Sequence, residues 1–401
     1  MKILITGASG FVGREIVPQL LQQGHELVLA GRDRVRLTGL FPGLMVVEYS
    51  DLEREEAPVM AVDAVLHLAA ANNNADHASE YFTSTNVNFA VRMAHIANRL
   101  HVRCFINATS LQASQPGNTS DYARSKRQGE QEIAKHLVVP LVNLRLPAVY
   151  GSSFAGKLAV LNPLPKFARH AVLQLLSMLK PVVSANNLAF AVNEIISTAK
   201  IGEYLITDHQ ADNLYYRLSK NMFDYLVGAI GLIASSCIIL ICAIAIRLDS
   251  KGNAIFAQQR VGRDGKPFTC YKLRTMRTGT VQAGTHEVSA SAVTGIGHFL
   301  RRTKLDELPQ LWNILRGEMS FVGPRPCLLS QTQLIEARKN KGVLSIKPGI
   351  TGLAQVEGID MSDPEVLSSR DRDYLMLRTL LLDVKIIIAT VLGKGGGDRV
   401  R

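Results

Sequence analysis

The longest apolar segment of the chain is YLVGAIGLIASSCIILICAIAI at residues 225–246, and it contains no charged side chain. A hydrocarbon core of ~30 Å is crossed by about 20 apolar residues in a single helix. A buried core helix is the alternative interpretation, but core helices rarely contain so long an uninterrupted apolar run. The pattern therefore predicts a membrane helix that separates an N-terminal part from a C-terminal part.

The N-terminal part begins with a strand, a glycine turn and a helix. Residues 2–6 (KILIT) form a short apolar run typical of a β-strand. The turn that follows contains Gly7, Gly10 and Gly13, and it leads into the helical pattern FVGREIVPQLLQQG. Such a turn lets the backbone approach a pyrophosphate, which the free N–H groups of the helix N-terminus then bind. We therefore predict an α/β domain with a Rossmann-like, doubly wound parallel sheet.

The second predicted strand, at residues 26–30, ends just before Arg32 and Asp33. Residues at this position of a dinucleotide-binding fold contact the adenosine ribose. An arginine suits a 2′-phosphate and a carboxylate suits a free 2′-hydroxyl. The sequence thus predicts NAD or NADP as the cofactor, and the arginine favours NADP slightly.

The C-terminal part has strand-like pieces at 248–276 and then an acidic pair. Asp306 and Glu307 stand side by side after the basic sequence RRTK. Adjacent carboxylates repel each other unless cations or a metal ion hold them. We expect Pro309 to disfavour a helical conformation at Leu308, which places the pair at a break in the backbone suited to a nucleophile and a metal ligand. A solvated acidic pair that ends a charged helix is the alternative.

The overall charge restricts the classes of partner. The chain has 45 Lys and Arg against 34 Asp and Glu, a net charge of +11. Such an excess suits anionic lipid headgroups or phosphorylated substrates. No nucleic-acid partner is expected, because aromatic residues make up only 6% of the chain and no recognition motif occurs. The five cysteines form no CxxC pair, which is typical of a reduced, cytosolic protein.

Four segments of the N-terminal part match a known family in the correct order. They are GASGFVG at 7–13, DAVLHLAA at 63–70, YARSK at 122–126 and LRLPAVYG at 144–151. On these motifs this part resembles the extended short-chain dehydrogenase/reductase (SDR) family, which includes nucleotide-sugar epimerases, dehydratases and ketoreductases. The resemblance implies that Tyr122 is the general acid or base and that Lys126 lowers its pKa and holds the nicotinamide ribose. Ser110 would polarise the substrate carbonyl, with Thr109 as its competitor for that role.

The length of the N-terminal part departs from this family. Family members generally continue well beyond the point where this fold turns toward the apolar segment, after residue 210. The resemblance therefore implies a shortened SDR domain that reduces or epimerises a nucleotide-sugar. A domain that binds a nucleotide-sugar without turning it over is the alternative.

The C-terminal part, from about residue 219 to 394, resembles a second family. The matching segments are FDYLVG at 223–228, QQRVGRDGKPF at 258–268, KLRTM at 272–276, LRRTKLDELPQLWNILRGEMSFVGPRP at 300–326 and KPGITGLAQV at 347–356. These motifs are similar to those of the bacterial sugar transferases that act on polyprenyl phosphate, which are small monotopic phosphoglycosyl transferases. The resemblance implies transfer of a sugar-1-phosphate from a UDP-sugar to undecaprenyl phosphate, which initiates O-antigen, capsule or glycan assembly.

The same resemblance implies roles for individual residues. Asp306 would attack the sugar-linked phosphate, release UMP and carry a phospho-sugar, while Glu307 together with Asp306 would hold Mg²⁺. Carboxylates and water suit that hard ion. A guanidinium fork matches phosphate oxygens in two places at once. The candidate phosphate-binding residues are Lys272, Arg274, Arg301, Arg302 and Arg325.

These expectations give a domain order along the chain. A shortened SDR domain occupies 1–212, a linker 213–224, the membrane helix 225–246, a small α/β transferase domain 247–392 and a flexible tail 393–401. Within the transferase domain, the apolar residues 380–392 predict an interfacial helix, with a core helix as the alternative. A membrane-tethered oxidoreductase with a C-terminal interaction module is a third hypothesis for the whole chain, against which the intact LDELPQ and VGPRP segments argue.

The position of the membrane helix between two such domains affects its predicted path. Both domains need cytosolic substrates, so a single span would place one domain on the side of the membrane that lacks its substrate. We therefore predict a re-entrant helix, bent at Ser235 and Ser236, whose hydroxyls would bond the freed backbone groups. The resembling transferases bend at a Ser-Pro pair, whereas this chain has Ser236 followed by Cys237. The expected location is the cytoplasmic face of the bacterial inner membrane, and a homodimer is left open.

Overall fold

A computed structural model describes residues 1–54, 61–71, 79–115, 117–198, 201–280 and 292–395. The chain divides into two compact units. The first comprises Met1–Leu173 and Pro181–Asp208, and the second comprises Gln174–Lys180 and His209–Arg401. Most of the tail predicted at 393–401 lies outside the described residues, which end at 395.

The first unit is built on a parallel sheet. Its strands are β1 (Lys2–Thr6), β2 (Glu26–Gly31), β3 (Met45–Glu48), β4 (Ala64–His67), β5 (Cys104–Ser110), β6 (Leu141–Leu146), β7 (Ala148–Tyr150), β8 (Val182–Ser184) and β9 (Gly202–Leu205). Seven of them form one sheet in the order β3-β2-β1-β4-β5-β6-β9, and β7 pairs with β8 separately. Every pairing in the large sheet is parallel. The predicted Rossmann-like α/β class is confirmed.

Helices cover both faces of this sheet. They are α1 (Phe11–Gln22), α2 (Arg34–Leu40), α3 (Tyr49–Glu53), α4 (Ser79–Thr83), α5 (Phe89–Arg99), α6 (Asp121–His136), α7 (Lys166–Ser177), whose last residues belong to the second unit, and α8 (Ala185–Thr198). Along β1, Ile3 and Ile5 belong to the core under α1 and α8, whereas Leu4 belongs to the core under α5 and α6. This alternation follows from the period of two in a strand, and it buries the sheet on both sides.

The second unit is a smaller α/β region that follows one long helix. Its elements are α9 (Leu214–Asp249), β10 (Ile255–Val261), β11 (Pro267–Leu273), α10 (Gly295–Thr303), α11 (Gln310–Leu315), β12 (Ser320–Val322), α12 (Thr332–Asn340), β13 (Gly349–Thr351), α13 (Leu353–Val356), α14 (Pro364–Leu377) and α15 (Leu380–Val391). The strand-like pieces predicted at 248–276 form the antiparallel hairpin β10–β11. Strands β12 and β13 form a short parallel pair.

Helix α9 extends well before the apolar segment. It has 36 residues and begins at Leu214, because the Asn213 side chain accepts a hydrogen bond from the Tyr216 N–H at 3.0 Å and caps the first turn. Within the described part of the chain it is the one helix long and apolar enough to cross a membrane. At 1.5 Å per residue its length is about 54 Å, well beyond the ~30 Å of a hydrocarbon core.

One face of α9 packs against its own unit along most of this length. Asp224 accepts a hydrogen bond from the Phe321 N–H, Gly228 lies against Ile314, and Ile246 is buried in a core with Leu273 and Leu300. The opposite face exposes apolar side chains at intervals of mostly three or four residues: Met222, Leu226, Ile230, Ile233, Leu240, Ile244 and Leu248. A helix bound to a folded unit along one face cannot run upright through a bilayer while that unit stays in water.

The bend predicted at Ser235 and Ser236 is not found, since α9 is continuous through both residues. The Ser235 hydroxyl donates to the Gly231 carbonyl oxygen and the Ser236 hydroxyl to that of Ile233, each at 2.7 Å. Serine side chains commonly bond back to the preceding turn in this way without breaking a helix. No proline removes a backbone donor at this point, so the helical hydrogen bonds continue. Residues 225–246 therefore belong to one continuous helix, and the re-entrant path through the membrane stays a prediction.

Candidate functional site

The acidic pair lies on a short turn between two helices. Helix α10 ends where Lys304 adopts a left-handed conformation with φ 57°, and Leu305–Glu307 then form a single 3-10 turn before α11. This conformation costs a residue with a side chain on the order of 1 kcal/mol. The prediction that Pro309 excludes helical geometry at Leu308 is wrong, because Leu308 has φ −53° and ψ −38°. The break in the backbone exists, but Lys304 provides it.

The two carboxylates have different surroundings. Glu307 Oε1 accepts a hydrogen bond from Lys272 Nζ at 2.8 Å and one from Arg325 Nη2 at 3.4 Å. Lys272 comes from β11 and Arg325 from the loop after β12, so three separate segments meet at Glu307. Asp306 is only 9% exposed. The structure therefore brings Asp306, Glu307, Lys272 and Arg325 together, as the sequence predicts.

These surroundings shift the pKa values of the pair in opposite directions. Burial raises the pKa of Asp306 to about 6, against the opposing charge of Lys272. Burial also acts on Glu307, but the charges of Lys272 and Arg325 outweigh it and lower the pKa of Glu307 to about 2. Paired carboxylates with separated pKa values are typical of sites where the two groups have different chemical roles.

The remaining predicted phosphate-binding residues differ in position. Arg301 donates from Nε to Thr275 Oγ1 at 3.0 Å and is close enough to affect the pKa of Asp306. Arg302 is exposed on α10. Arg274 is buried, and its guanidinium binds the backbone carbonyls of Ser250 and Lys251 just beyond the C-terminus of α9. Arg274 therefore stabilises the end of α9 and is removed from the candidate phosphate ligands.

The glycine turn of the first unit is closely packed. Gly7 has φ 74°, and a Cβ at Gly7 would lie 2.6 Å from the Ala69 nitrogen. A Cβ at Gly13 would lie 2.4 Å from the Ala8 Cα, and one at Gly10 would lie 3.1 Å from the Gly7 oxygen. Only glycine fits at Gly7 and Gly13, so the strand, turn and helix can approach each other as a dinucleotide-binding turn requires.

The two predicted ribose-binding residues follow β2. Asp33 caps α2 by accepting a hydrogen bond from the Arg36 N–H at 2.9 Å, and both Arg32 and Asp33 are exposed. Arg32 lies near enough to Tyr49 to affect its pKa, and the Tyr49 hydroxyl accepts the Gly7 N–H at 3.2 Å. Arg32 thus lies on the glycine-turn side of the unit, while one carboxylate oxygen of Asp33 caps α2.

Tyr122, Lys126 and Ser110 meet at the junction of β5 and α6. Tyr122 shares a hydrogen bond with Ser110, and burial raises the pKa of the Tyr122 phenol. Lys126 is one turn further along α6 and donates from Nζ to the Ala108 carbonyl oxygen at 3.2 Å. Burial lowers the pKa of Lys126 to about 8. The competitor Thr109 instead donates to Glu130, so Ser110 is the hydroxyl that faces Tyr122.

Both units match known families. Residues 215–394 match the model of the family described as bacterial sugar transferase, and residues 3–187 match that of the NAD dependent epimerase/dehydratase family. A UDP-glucose:undecaprenyl-phosphate glucose-1-phosphate transferase of Caulobacter vibrioides is 38% identical over 183 residues, which cover 43% of this chain and 68% of that protein. The chain belongs to the bacterial sugar transferase family. Both resemblances found in the sequence are confirmed.

Other relatives of the transferase region differ in length. A UDP-glucose:undecaprenyl-phosphate glucose-1-phosphate transferase of Klebsiella pneumoniae is 40% identical over 185 residues, and the chain covers 39% of that protein. An uncharacterized sugar transferase, EpsL, of Bacillus subtilis is 37% identical over 175 residues and is covered to 85%. The chain thus spans about two fifths of the length of the Klebsiella relative.

Among solved structures, the Bordetella bronchiseptica enzyme WbmG in complex with NAD aligns with a TM-score of 0.42 and 22% identity. The alignment covers 52% of this chain and 72% of that chain.

Two residues of the transferase region that sequence reasoning missed support its site. Arg338 on α12 and Asp371 on α14 form a buried ion pair, with Arg338 Nη2 2.7 Å from Asp371 Oδ2. Arg338 also donates from Nη1 to the Arg325 carbonyl oxygen at 2.8 Å. Neither residue belongs to a motif with chemical meaning, and both are far from Arg325 in sequence. Only the tertiary structure identifies them.

Proposed function

We propose that the transferase region transfers a sugar-1-phosphate from a UDP-sugar to undecaprenyl phosphate with release of UMP. The observation that carries this proposal is the buried Asp306–Glu307 pair with Lys272 and Arg325 bound to its second member. Glu307 is thus held as an anion by two cations. The Caulobacter and Klebsiella relatives are both UDP-glucose:undecaprenyl-phosphate glucose-1-phosphate transferases, which supports this proposal.

The proposed reaction has two phosphoryl transfers at one phosphorus atom. An Asp306 carboxylate oxygen attacks the phosphorus that carries the sugar, and the P–O bond to UMP breaks as the acyl-phosphate bond forms. A phosphate oxygen of undecaprenyl phosphate then attacks the same phosphorus and breaks the acyl-phosphate bond. Asp306 is regenerated, and the product is a sugar linked to the lipid by a diphosphate. Lys272, Arg301 and Arg325 stabilise the charge of the phosphoryl oxygens.

The donor set at the pair also fits Mg²⁺. Within the described residues no group of three or more metal-ligating side chains occurs, so Asp306 and Glu307 would share the ion with diphosphate oxygens and water. When bound there, Mg²⁺ would neutralise the charge of the diphosphate and of the leaving UMP. Lys272 and Arg325 keep Glu307 ionised and so ready to act as a ligand.

The packing of α9 supports the proposal that this chemistry takes place near a membrane surface. Leu305, which directly precedes Asp306, packs in the same core as Ile239, Cys242 and Ile246 of α9. The opposite face of the same helix exposes its apolar stripe. We propose that α9 lies along the cytoplasmic face of the inner membrane with this stripe in the lipid. The acidic pair then lies close to the level at which a lipid phosphate is found.

For the first unit we propose an NAD(P)-dependent reductase or epimerase of nucleotide-sugars. Gly7 and Gly13 let the strand, turn and helix pack as closely as a dinucleotide-binding turn requires, so the residues present fit the cofactor. The bound cofactor would supply or accept a hydride. Tyr122, bonded to Ser110, would give a proton to the substrate carbonyl oxygen, and the Lys126 ammonium would favour the tyrosinate that results. A domain that binds nucleotide-sugars without turning them over is the alternative, supported by the short length of the unit.

The transferase proposal is tested by UMP release from a panel of UDP-sugars, with the full chain in membranes that contain undecaprenyl phosphate and Mg²⁺. Asp306→Asn keeps the size of the side chain but removes the nucleophile, and we expect UMP release to fall by at least about 10³-fold. Asp264→Asn is the matched control, because Asp264 is an exposed carboxylate in the β10–β11 turn. UMP release by Asp306→Asn at the parental rate would refute the nucleophile.

The first unit has a separate test. The parent protein is incubated with a UDP-4-keto sugar and NADH or NADPH, and oxidation of the nicotinamide is followed. Tyr122→Phe removes the proton donor and is expected to abolish oxidation, whereas the exposed Tyr81→Phe should leave it unchanged. Oxidation that persists in Tyr122→Phe would contradict the reductase assignment. No oxidation by the parent with any donor would favour the binding domain.

A further inference from the structure

A pocket adjoins the acidic pair on the side of Arg325. Its lining includes Arg325, the apolar residues Ile359, Met361 and Leu367 and the amide of Gln355. Two carboxylates also line it: Asp371, which is paired with Arg338, and Asp360, which accepts the Ser362 N–H. Arg325 also reaches Glu307 with its Nη2 atom at 3.4 Å. One arginine therefore belongs both to the proposed phosphate site and to this pocket. A ligand that has its phosphate at Arg325 can extend from it into the pocket.

Gln355 is the polar group of interest in this lining. Its Oε1 atom is buried and has no hydrogen-bond partner among the residues that the structure describes. A buried acceptor without a partner costs on the order of 1–3 kcal/mol. A pocket that combines apolar residues with an unsatisfied polar group is typical of a ligand site, where the ligand supplies the missing donor. The ligand expected here has an apolar surface and carries an N–H donor.

Gly395 is the residue that now covers Gln355. It lines the pocket, and a Cβ at Gly395 would lie 3.2 Å from the Gln355 Cγ. With Gly395 in place the cavity volume is about 40 Å³, room for water but not for a pyrimidine ring. Gly393 and Gly395 both have positive φ, 90° and 80°. A shift of Gly395 would both enlarge the pocket and uncover the amide.

We propose that this pocket binds the uracil base of the donor, with Gln355 Oε1 accepting the uracil N3–H. This inference rests on the proposed transferase function and adds the part of the donor that is recognised beyond its phosphates. The base occupies the space that Gly395 holds in the present structure and packs between Ile359, Met361 and Leu367. Arg325 binds the phosphate next to the ribose, and the sugar-linked phosphate lies at Asp306. Cytosine lacks the N3–H and would not satisfy Gln355 Oε1.

The test compares UMP with 3-methyl-UMP, in which the N3–H is replaced by a methyl group. Both are titrated into the full chain in detergent with Mg²⁺, and the dissociation constants are measured. We expect the parent to bind UMP about tenfold more tightly than 3-methyl-UMP, the effect of one hydrogen bond. Gln355→Leu should weaken UMP binding about tenfold and leave 3-methyl-UMP unchanged, so that the preference disappears.

Two further variants separate base recognition from loss of structure. Gln355→Glu retains an acceptor, so the ratio between UMP and 3-methyl-UMP should persist even if both bind more weakly because of the added charge. Gln259→Leu replaces an exposed glutamine of β10 and should change neither constant. Equal binding of UMP and 3-methyl-UMP by the parent would overturn the proposal, as would a parental preference in Gln355→Leu.

The outcome can be separated from that of the proposed function. If the parent releases UMP from a UDP-sugar and Gln355→Leu does so with an unchanged KM, the transferase proposal stands and the base pocket is refuted. If the parent releases UMP from no UDP-sugar while UMP still binds with the N3–H preference, the pocket stands as a uridine nucleotide site and the transferase proposal falls.

Discussion

Arg338 donates a hydrogen bond of 2.8 Å from its Nη1 atom to the carbonyl oxygen of Arg325. The same guanidinium is paired with Asp371, and both side chains are almost fully buried. The Arg338–Asp371 ion pair thereby fixes the backbone of Arg325. The guanidinium of Arg325 reaches Glu307 from this fixed backbone. Arg338 and Asp371 are positioning residues, because they act on the phosphate site through Arg325.

The first prediction separates this positioning role from stability. Arg338→Met alone leaves a buried, unpaired Asp371 and should lower the free energy of unfolding by about 3–5 kcal/mol. Arg338→Met combined with Asp371→Leu should regain most of that stability, because an apolar pair replaces the ion pair. The double variant still lacks the donor to Arg325, so the KM for the UDP-sugar should remain about tenfold above that of the parent.

Chemical denaturation and the KM for UMP release provide the two measurements. Lys135→Ala is the control, since it removes an exposed ion pair with Glu132 on α6 and should cost at most about 0.5 kcal/mol. A double variant with parental stability and parental KM would show that the ion pair has no role in positioning Arg325.

The second prediction concerns the pH dependence of UMP release. Asp306 must be ionised to attack, and its pKa of about 6 in the free enzyme predicts that kcat/KM falls as the pH drops through about 6. Lys272 is the cation that most strongly favours the ionised form of Asp306, so Lys272→Gln should move this acid limb to higher pH. Lys266→Gln changes an exposed lysine of the neighbouring turn and should not move it. An acid limb at the same pH in Lys272→Gln would contradict the assignment.

The third prediction follows from the cost of keeping Asp306 ionised in a buried site. Its pKa is higher in the folded than in the unfolded chain, so the ionised carboxylate destabilises the fold above pH 6, and this penalty disappears below about pH 4. Asp306→Asn should therefore raise the free energy of unfolding at pH 7.5 by on the order of 1–3 kcal/mol, although it inactivates the transferase. At pH 4 the gain should vanish.

Glu307 provides the contrast, because its pKa is lowered in the folded chain. Its ionised form stabilises the fold above the pKa of the unfolded chain, and that stability is lost as the pH falls toward 2. Glu307→Gln should therefore lower the free energy of unfolding at pH 7.5, opposite in sign to Asp306→Asn. Thermal unfolding of the two variants at both pH values measures the difference. Equal shifts of the same sign would contradict the separated pKa values.

The fourth prediction concerns the exposed stripe of α9. Ile233 is 76% exposed, so a lysine there should not disturb packing but would place a charge in the lipid. We expect Ile233→Lys to weaken binding to uncharged liposomes by about tenfold or more, with unchanged thermal stability. Val35→Lys is the control, because Val35 is 84% exposed on α2 of the first unit. Equal binding of parent and Ile233→Lys would show that the stripe does not contact lipid.

A fifth prediction tests the path of α9. A helix that lies along one face of the membrane keeps both of its ends on that side, so reporters placed before Arg217 and after Lys251 should both be cytoplasmic. The re-entrant path predicted from the sequence gives the same result, and a simple span gives opposite readings. Accessibility of single cysteines at Leu226, Ile233 and Ile244 distinguishes the first two paths, since a helix in the membrane plane places all three at a similar depth.

The sequence predicted the elements that depend on local pattern. The strand at 2–6, the glycine turn and the hairpin at 248–276 follow from periodicity and glycine position, and the structure has them where predicted. The sequence did not predict the start of α9 at Leu214, because the residues before 225 do not form an apolar run and only the Asn213 cap marks the boundary. The missing proline after Ser236 indicated that the helix would not bend. A bend was nevertheless predicted, because both domains need to be on the same side of the membrane.

The candidate site was predictable for residues that belong to the matched motifs, and it was unpredictable where tertiary contacts alone decide. The structure brings together four of the predicted residues, which come from three segments: Asp306, Glu307, Lys272 and Arg325. Arg274 appeared equivalent to them in sequence, yet its guanidinium turns toward the end of α9. Gln355 lies in the matched segment 347–356, but its sequence does not mark it as a ligand-binding group, since an acceptor without a partner can be recognised only when the surrounding atoms are known.

The packing of Leu305 against α9 has a consequence for how the two substrates find the enzyme. A lipid acceptor cannot leave its bilayer, so it searches for the enzyme in two dimensions, while a water-soluble donor arrives from the third. With the stripe in the lipid, as proposed, the packing of Leu305 on the same helix would fix the height of Asp306 above the lipid. The acceptor would then need no extraction from the membrane, only lateral diffusion and a turn of its headgroup.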